Sequence, residues 1–160
     1  MKKVFIAIGT NIGNRQENID TAINQLNNNN VNTIKKSRIY STAPMYETEQ
    51  DRFLNMVVFA ETNIKPNELL KLLKDLEEKI GRTPSFRNGP RLIDLDILYY
   101  DDLIINEEDL QIPHIKISER QFVLQPLMDI NPDWLDIRTN KTIKKMQQEA
   151  PLDKTLSPIN

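Results

Sequence analysis

Cysteine is absent from this 160-residue chain, and histidine and tryptophan occur once each. The missing thiols exclude disulfides, thiolate nucleophiles and cysteine-based zinc sites together, which leaves carboxylates and His114 as the credible metal ligands. A metal held by such a set is expected to be hard, such as magnesium. Glycine is scarce, and the stretch Gly9 to Gly13 matches neither the Walker A spacing nor the dinucleotide fingerprint. Its glycines read first as a strand-to-helix turn, with a substrate-positioning role for Asn11 left open. Long apolar runs are also missing. Residues 1–8 are too short for a signal-peptide core or a membrane span, so a cytoplasmic protein with no membrane partner is expected. A basic excess is lacking as well: the net charge of -2 argues against a nucleic-acid partner.

What is present suits one compact domain over residues 1–160. The apolar run Lys3 to Ile8 reads as a central strand buried on both faces. Asn14 and Glu17 have the form of a capping box ahead of Ile19, Ala22, Ile23 and Leu26, a helix that the asparagines 27–30 bring to an end. Two β-rich stretches follow, 33–41 and 54–62. Pro66 opens the clearest helix, with Leu69, Leu72, Leu73, Leu76 and Ile80 on one stripe before Gly81. After a loop over 82–90, residues 92–99 read as a strand. The order βαββαβ predicts an α+β, ferredoxin-like core: an antiparallel sheet with helices on one face. Beyond it, a hairpin near 103–105, a helix opening at Ser118 with Gln121 as capping partner, and an irregular tail broken by Pro126, Pro132 and Pro151 are expected. The acids at 101–102 and 107–109 read as solvated surface.

Asp94 and Asp96 stand two positions apart in a strand-like run, so their side chains leave one face with Cα atoms about 6.5–7 Å apart. Such a pair can grip a divalent cation, and it can equally be the polar face of an amphipathic strand. Arg91 nearby, with Arg82 and Arg87 in the same loop, favours the cation, because phosphate chemistry needs acids for magnesium beside fixed positive charge. Phe53 and Phe122 offer flat apolar faces and Asn55 an amide, as a fused-ring heterocycle requires; core packing accounts for the phenylalanines equally well. His114 follows Pro113 and is either a phosphate or ribose contact or an ordinary loop residue.

Gly9-Thr10-Asn11, Thr42-Ala43-Pro44-Met45, Phe53-Leu54-Asn55, Glu77, Gly81-Arg82, the run Gly89 to Ile97, Pro113-His114 and Arg120-Gln121-Phe122 resemble, in order, the motifs of the 6-hydroxymethyl-7,8-dihydropterin pyrophosphokinase family. The likeness spans most of the chain, and its Gly-Pro-Arg-x-x-Asp-x-Asp-Ile core is specific. It implies a folate-biosynthesis enzyme that transfers the diphosphate of ATP to the hydroxymethyl oxygen of the pterin, releasing AMP, with no phosphoenzyme. By the same resemblance Asp94 and Asp96 bind two magnesium ions with ATP, and Arg82, Arg91 and Arg120 contact phosphates, the first two joining the acids in catalysis. Glu77, Ile97 and His114 help hold the nucleotide. Asn55 reads the pterin edge together with Thr42, Ala43 and Met45, and Phe53 and Phe122 sandwich the ring. The partners are then these small molecules, and a monomer or weak homodimer is expected. No general base is evident, so positioning and electrostatics supply most of the rate. The 82–90 loop is expected to close over ATP.

Several positions depart from the family pattern: Pro84 where a second arginine is common, Asn88 where a tryptophan is, Ile115 for a tyrosine, Lys74 for a glutamine and Phe53 for a tyrosine. The last keeps the stacking face and loses a hydroxyl. Two rival classes are a ferredoxin-like RNA-binding module and another magnesium-dependent nucleotide transferase. The first lacks the clustered strand aromatics on which bases stack. The second is distinguished by binding ATP and not pterin.

Overall fold

Alternating large side chains along the opening run build a strand with two buried faces. In the computed structural model, which describes residues 1–44, 51–81 and 92–160, β1 (Lys2–Thr10) directs Val4, Ile6 and Ile8 into one core and Phe5 and Ala7 towards another. The helix α1 (Arg15–Asn28) starts where expected: Asn14 Oδ1 accepts from the Glu17 N–H at 3.1 Å. It ends in the asparagine run, where Asn30 takes a left-handed φ of 66°.

The β-rich stretch expected at 33–41 is two strands, β2 (Val31–Lys36) and β3 (Tyr40–Thr42). Ser37 causes the break, since its N–H donates to the Val57 carbonyl while its Oγ accepts from the Val57 N–H and donates to the Arg38 carbonyl. Both strands lie along β4 (Phe53–Thr62), which pairs on its other edge with the whole of β1, from Lys2↔Thr62 to Thr10↔Leu54. The helix α2 (Pro66–Ile80) has proline at its first turn and Gly81 in a left-handed cap at φ 112°. It buries Leu69, Leu73 and Leu76, each contributing about 2 kcal/mol. The strand β5 (Asp94–Tyr100) begins two residues later than expected, because the Leu92 carbonyl leaves the ladder to accept from Thr10 Oγ1 and Asn18 Nδ2.

The sheet order β3–β4–β1–β5 is antiparallel throughout. Helices α1 and α2 cover the Val4, Ile6 and Ile8 face. The expectation of helices on one face only is corrected by the chain beyond β5. After the hairpin β6 (Ile105–Asn106) and β7 (Gln111–Ile112), α3 (Gln121–Ile130) packs on the opposite face against Phe5, Val57 and Tyr99. That hairpin lies slightly beyond the 103–105 expected. No capping box opens α3. It follows a 3-10 turn at Ile117–Glu119, and Gln121 Nε2 donates instead to the carbonyls of Gln147 and Ala150. Pro126 sits inside α3, removing only the N–H that would bond to the Phe122 carbonyl.

The tail expected to be irregular is ordered as β8 (Leu135–Asp136), β9 (Lys141–Thr142), α4 (Ile143–Glu149) and β10 (Ser157–Pro158). Its anchor is Asp136, buried beside β5, which accepts from the Tyr99 hydroxyl at 2.5 Å and from the N–H groups of Arg138 and Thr139. Among the described residues no helix is long and apolar enough to cross a membrane.

Candidate active site

Cross-strand register assembles the site in two rows on the α3 side of the sheet. Gly9 of β1 pairs with Asn55 on one side and Asp94 on the other, and Ala7 pairs with Val57 and Asp96. With strands about 4.8 Å apart, Asn55 and Asp94 sit about 10 Å apart across a floor that has almost no side chain. A side chain would crowd that floor: a Cβ on Gly9 would lie 3.0 Å from Asn55 Oδ1. Reading Gly9 as a turn residue missed this. The signal was there in the alternation, where Ala7 and Gly9 are small among Ile6, Ile8 and Phe5.

Above the floor lies an open cavity. Thr42, Ala43, Phe53 and Asn55 line it from the β3–β4 side and Asp94 and Asp96 from the β5 side, with His114, Arg120 and Phe122 also in its lining. Leu98, Ile117 and Val123 also line it, none of them singled out by the sequence. Asn55 Nδ2 donates to Thr42 Oγ1 at 3.2 Å, which turns Oδ1 towards Gly9. The Arg120 guanidinium lies 5.4 Å from the centre of the Phe122 ring, within cation–π range.

His114 is held on three sides. Its N–H donates to the Leu98 carbonyl at 3.0 Å, its Nδ1 accepts from the Lys116 N–H at 3.1 Å, and Arg138 donates to the carbonyls of Ile112 and Pro113 just before it. An accepting Nδ1 places the proton on Nε2. Burial, helped by Arg120 and Lys116 and opposed by Asp94, lowers the imidazole pKa to about 4. The ring is therefore a neutral donor at physiological pH.

A second cavity adjoins the first, lined by Lys74, Ile97, the acids Glu108 and Asp109, and Ile115. Asp96, His114 and Arg120 line both cavities. Glu108 and Asp109, read as plain surface, thus border a cavity while remaining exposed. Glu77 lines neither. It is buried beneath β5, where Oε2 accepts the Leu95 N–H at 2.8 Å, between the two aspartates. Met45, Arg82, Arg87 and Arg91, with the departures Pro84 and Asn88 and the expected closing loop, fall outside the described residues. Among the described residues no group of three His, Asp or Glu side chains gathers at one point. Two half-buried carboxylates beside a cavity suit magnesium, which takes one or two protein carboxylates and completes its shell with water and substrate phosphate.

The sequence model described as 7,8-dihydro-6-hydroxymethylpterin-pyrophosphokinase (HPPK) matches residues 5–132, most of the chain. The chain belongs to this family. HPPK relatives include the 2-amino-4-hydroxy-6-hydroxymethyldihydropteridine pyrophosphokinase of Bacillus subtilis, 42% identical over 127 residues, covering 79% of this chain and 76% of that protein. The Aquifex aeolicus protein of the same name is 35% identical over 152 residues, covering 95% and 94%. The folic acid synthesis protein FOL1 of Dictyostelium discoideum is 40% identical over 148 residues, 92% of this chain and 22% of that protein. The chain spans only about a fifth to a quarter of the length of such larger HPPK relatives. Among solved structures, Plasmodium falciparum HPPK-DHPS superposes with a TM-score of 0.74 at 18% identity over 93% of this chain and 43% of that one, a likeness of fold.

Proposed function

We propose that the chain is a pterin pyrophosphokinase of folate biosynthesis, transferring the diphosphate of ATP to the hydroxymethyl oxygen of 6-hydroxymethyl-7,8-dihydropterin. The observation that carries this reading is the set Asp96, His114 and Arg120 shared by two adjoining cavities, of which we assign the one lined by Phe53, Asn55 and Phe122 to the ring and the other to the nucleotide. A group passing from one ligand to the other would cross there. The hydroxymethyl oxygen forms a bond to the β-phosphorus of ATP, the bond from that phosphorus to the oxygen bridging the α-phosphorus breaks, AMP leaves, and the hydroxyl proton passes to water.

Phe53 and Phe122 face the pterin ring, while Asn55, Thr42 and the backbone about Ala43 and Met45 meet its edge. Asp94 and Asp96 would hold magnesium, two ions by the family likeness, together with the ATP phosphates. Bound there, magnesium would neutralise phosphate charge and ease deprotonation of the hydroxyl. Arg120, joined by Arg82 and Arg91, contributes fixed positive charge to the phosphates. His114 Nε2–H donates to a phosphate oxygen without itself titrating. Ile97 packs against the nucleotide, and Glu77 acts through the Leu95 amide that sets the spacing of the aspartates.

The reading extends to the architecture: a ferredoxin-like βαββαβ core in a single domain over 1–160, with the β6–β7 hairpin and α3 as its extension. It also includes a cytoplasmic location and a monomer or weak homodimer, which fractionation and light scattering would check. The decisive assay incubates the protein with ATP, magnesium and the pterin and follows products by phosphorus NMR. Pterin diphosphate and AMP are expected in equal amounts. ADP as product, or ATP consumption that ignores the pterin, overturns the reading.

A further inference from the structure

The segment 153–160 lies beyond the family-matched region, yet it grips the wall of the ring cavity from outside. Strand β10 pairs with β3 through Ser157↔Ser41 and Pro158↔Tyr40, and just before it Thr155 reaches the end of β3. Thr155 Oγ1 accepts from the Ala43 N–H at 3.1 Å and donates to Asp153 Oδ1 at 2.6 Å. Asp153 Oδ1 also accepts the Thr155 N–H at 2.9 Å, so a carboxylate fixes the hydroxyl and the hydroxyl fixes the Ala43 amide. Arg52 braces the same edge. Its Nε donates to Ser41 Oγ at 2.7 Å and its Nη2 to the carbonyls of Ser41 and Thr155.

The consequence lies on the cavity side. The Thr42–Ala43 peptide is planar, so an Ala43 N–H aimed at Thr155 turns the Thr42 carbonyl the opposite way, towards β4, where Thr42 pairs with Phe53, and this fixes the backbone that carries the Thr42 side chain. The Thr42 side chain is at the same time the partner that orients the Asn55 amide. Two polar groups of residues lining the ring cavity, the Thr42 hydroxyl and the Asn55 amide, thus share one outer fastening. We propose that Thr155, held by Asp153, is a positioning residue for the pterin edge: it acts through the Ala43 amide and never touches substrate. This rests on the assignment of the Thr42–Asn55 cavity to the ring.

The test compares Thr155→Val, which keeps the shape and loses the hydroxyl, with Thr155→Ser, which keeps the hydroxyl. Calorimetry measures 6-hydroxymethylpterin and α,β-methylene-ATP separately. Loss of one hydrogen bond in Thr155→Val is expected to weaken pterin binding by about 3- to 10-fold. The nucleotide constant should stay at its wild-type value, KM for the pterin should rise more than kcat falls, and Thr155→Ser should restore both. Hydrogen exchange at the Ala43 amide supplies a second readout, faster in Thr155→Val and in Asp153→Asn, which covers the case of a valine variant that does not fold. Unchanged pterin affinity, equal weakening of both ligands, failure of serine to rescue, or unchanged Ala43 exchange overturns the proposal alone. Wild-type protein that binds no pterin overturns the parent reading and this one with it.

Discussion

Two side chains at the site do their work by what they withhold. Gly9 withholds a Cβ, and its replacement by alanine would put one 3.0 Å from Asn55 Oδ1, so that the amide must shift by a few tenths of an ångström. Gly9→Ala is expected to raise the Kd for the pterin about tenfold while leaving the nucleotide Kd unchanged, as read by calorimetry. His114 withholds a charge. Its folded pKa of about 4 lies below the ordinary 6.5, so the unfolded chain takes up the proton first as pH falls. The stability this neutral ring retains is present above about 6.5 and is lost as pH drops towards about 4. Denaturant melts across that window should show the decline in wild type and a flatter profile in His114→Asn. At Asp96 the expected change is in rate: Asp96→Ala should lower kcat about 10²- to 10³-fold while unfolding stays cooperative. Near-normal turnover would remove the aspartate pair from the chemistry. Of these residues the acids could be placed on one strand face from their spacing alone, and the register of β5 on β1 puts both beside the cavity. The neutral state of His114 was not legible in the sequence, since it arises first from burial among segments far apart in the chain, with the charges of Arg120 and Lys116 adding to it.

At the scale of elements, legibility followed locality. Helix α2 could be read from its own stripe, proline and glycine, and β1 from its apolar run. The break between β2 and β3 could not, because it depends on Ser37 bonding to Val57 of another strand. Nor could the order of the 135–158 region, which hangs on long-range contacts to β5 and β3. The Tyr99 hydroxyl is the clearest of these. Burial first, then Asp136, raises its pKa far above the ordinary phenol value, so it remains a donor to that carboxylate. Tyr99→Phe removes one of several donors to Asp136 and should cost about 1–2 kcal/mol in chemical denaturation, with the loss felt first in the β8–β9 hairpin. An unchanged midpoint would mean that the hairpin is held by packing on Phe5 and Trp134 instead.

On the scale of the whole molecule, the fold's contribution is to bring a bare-floored cavity and a pair of acids onto one face of a sheet, with residues of α3 and His114 completing the lining. The family likeness runs along the sequence, whereas the meeting of two cavities at Asp96, His114 and Arg120 is a property of the packed chain. That meeting is open to direct measurement with manganese in place of magnesium. In a complex with manganese, α,β-methylene-ATP and 6-hydroxymethylpterin, the hydroxymethyl protons of the bound pterin should show strong paramagnetic relaxation, abolished in the Asp94→Ala, Asp96→Ala double variant. Pterin protons that bind with ordinary affinity yet relax at the diamagnetic rate would place metal and ring in separate sites and contradict the account.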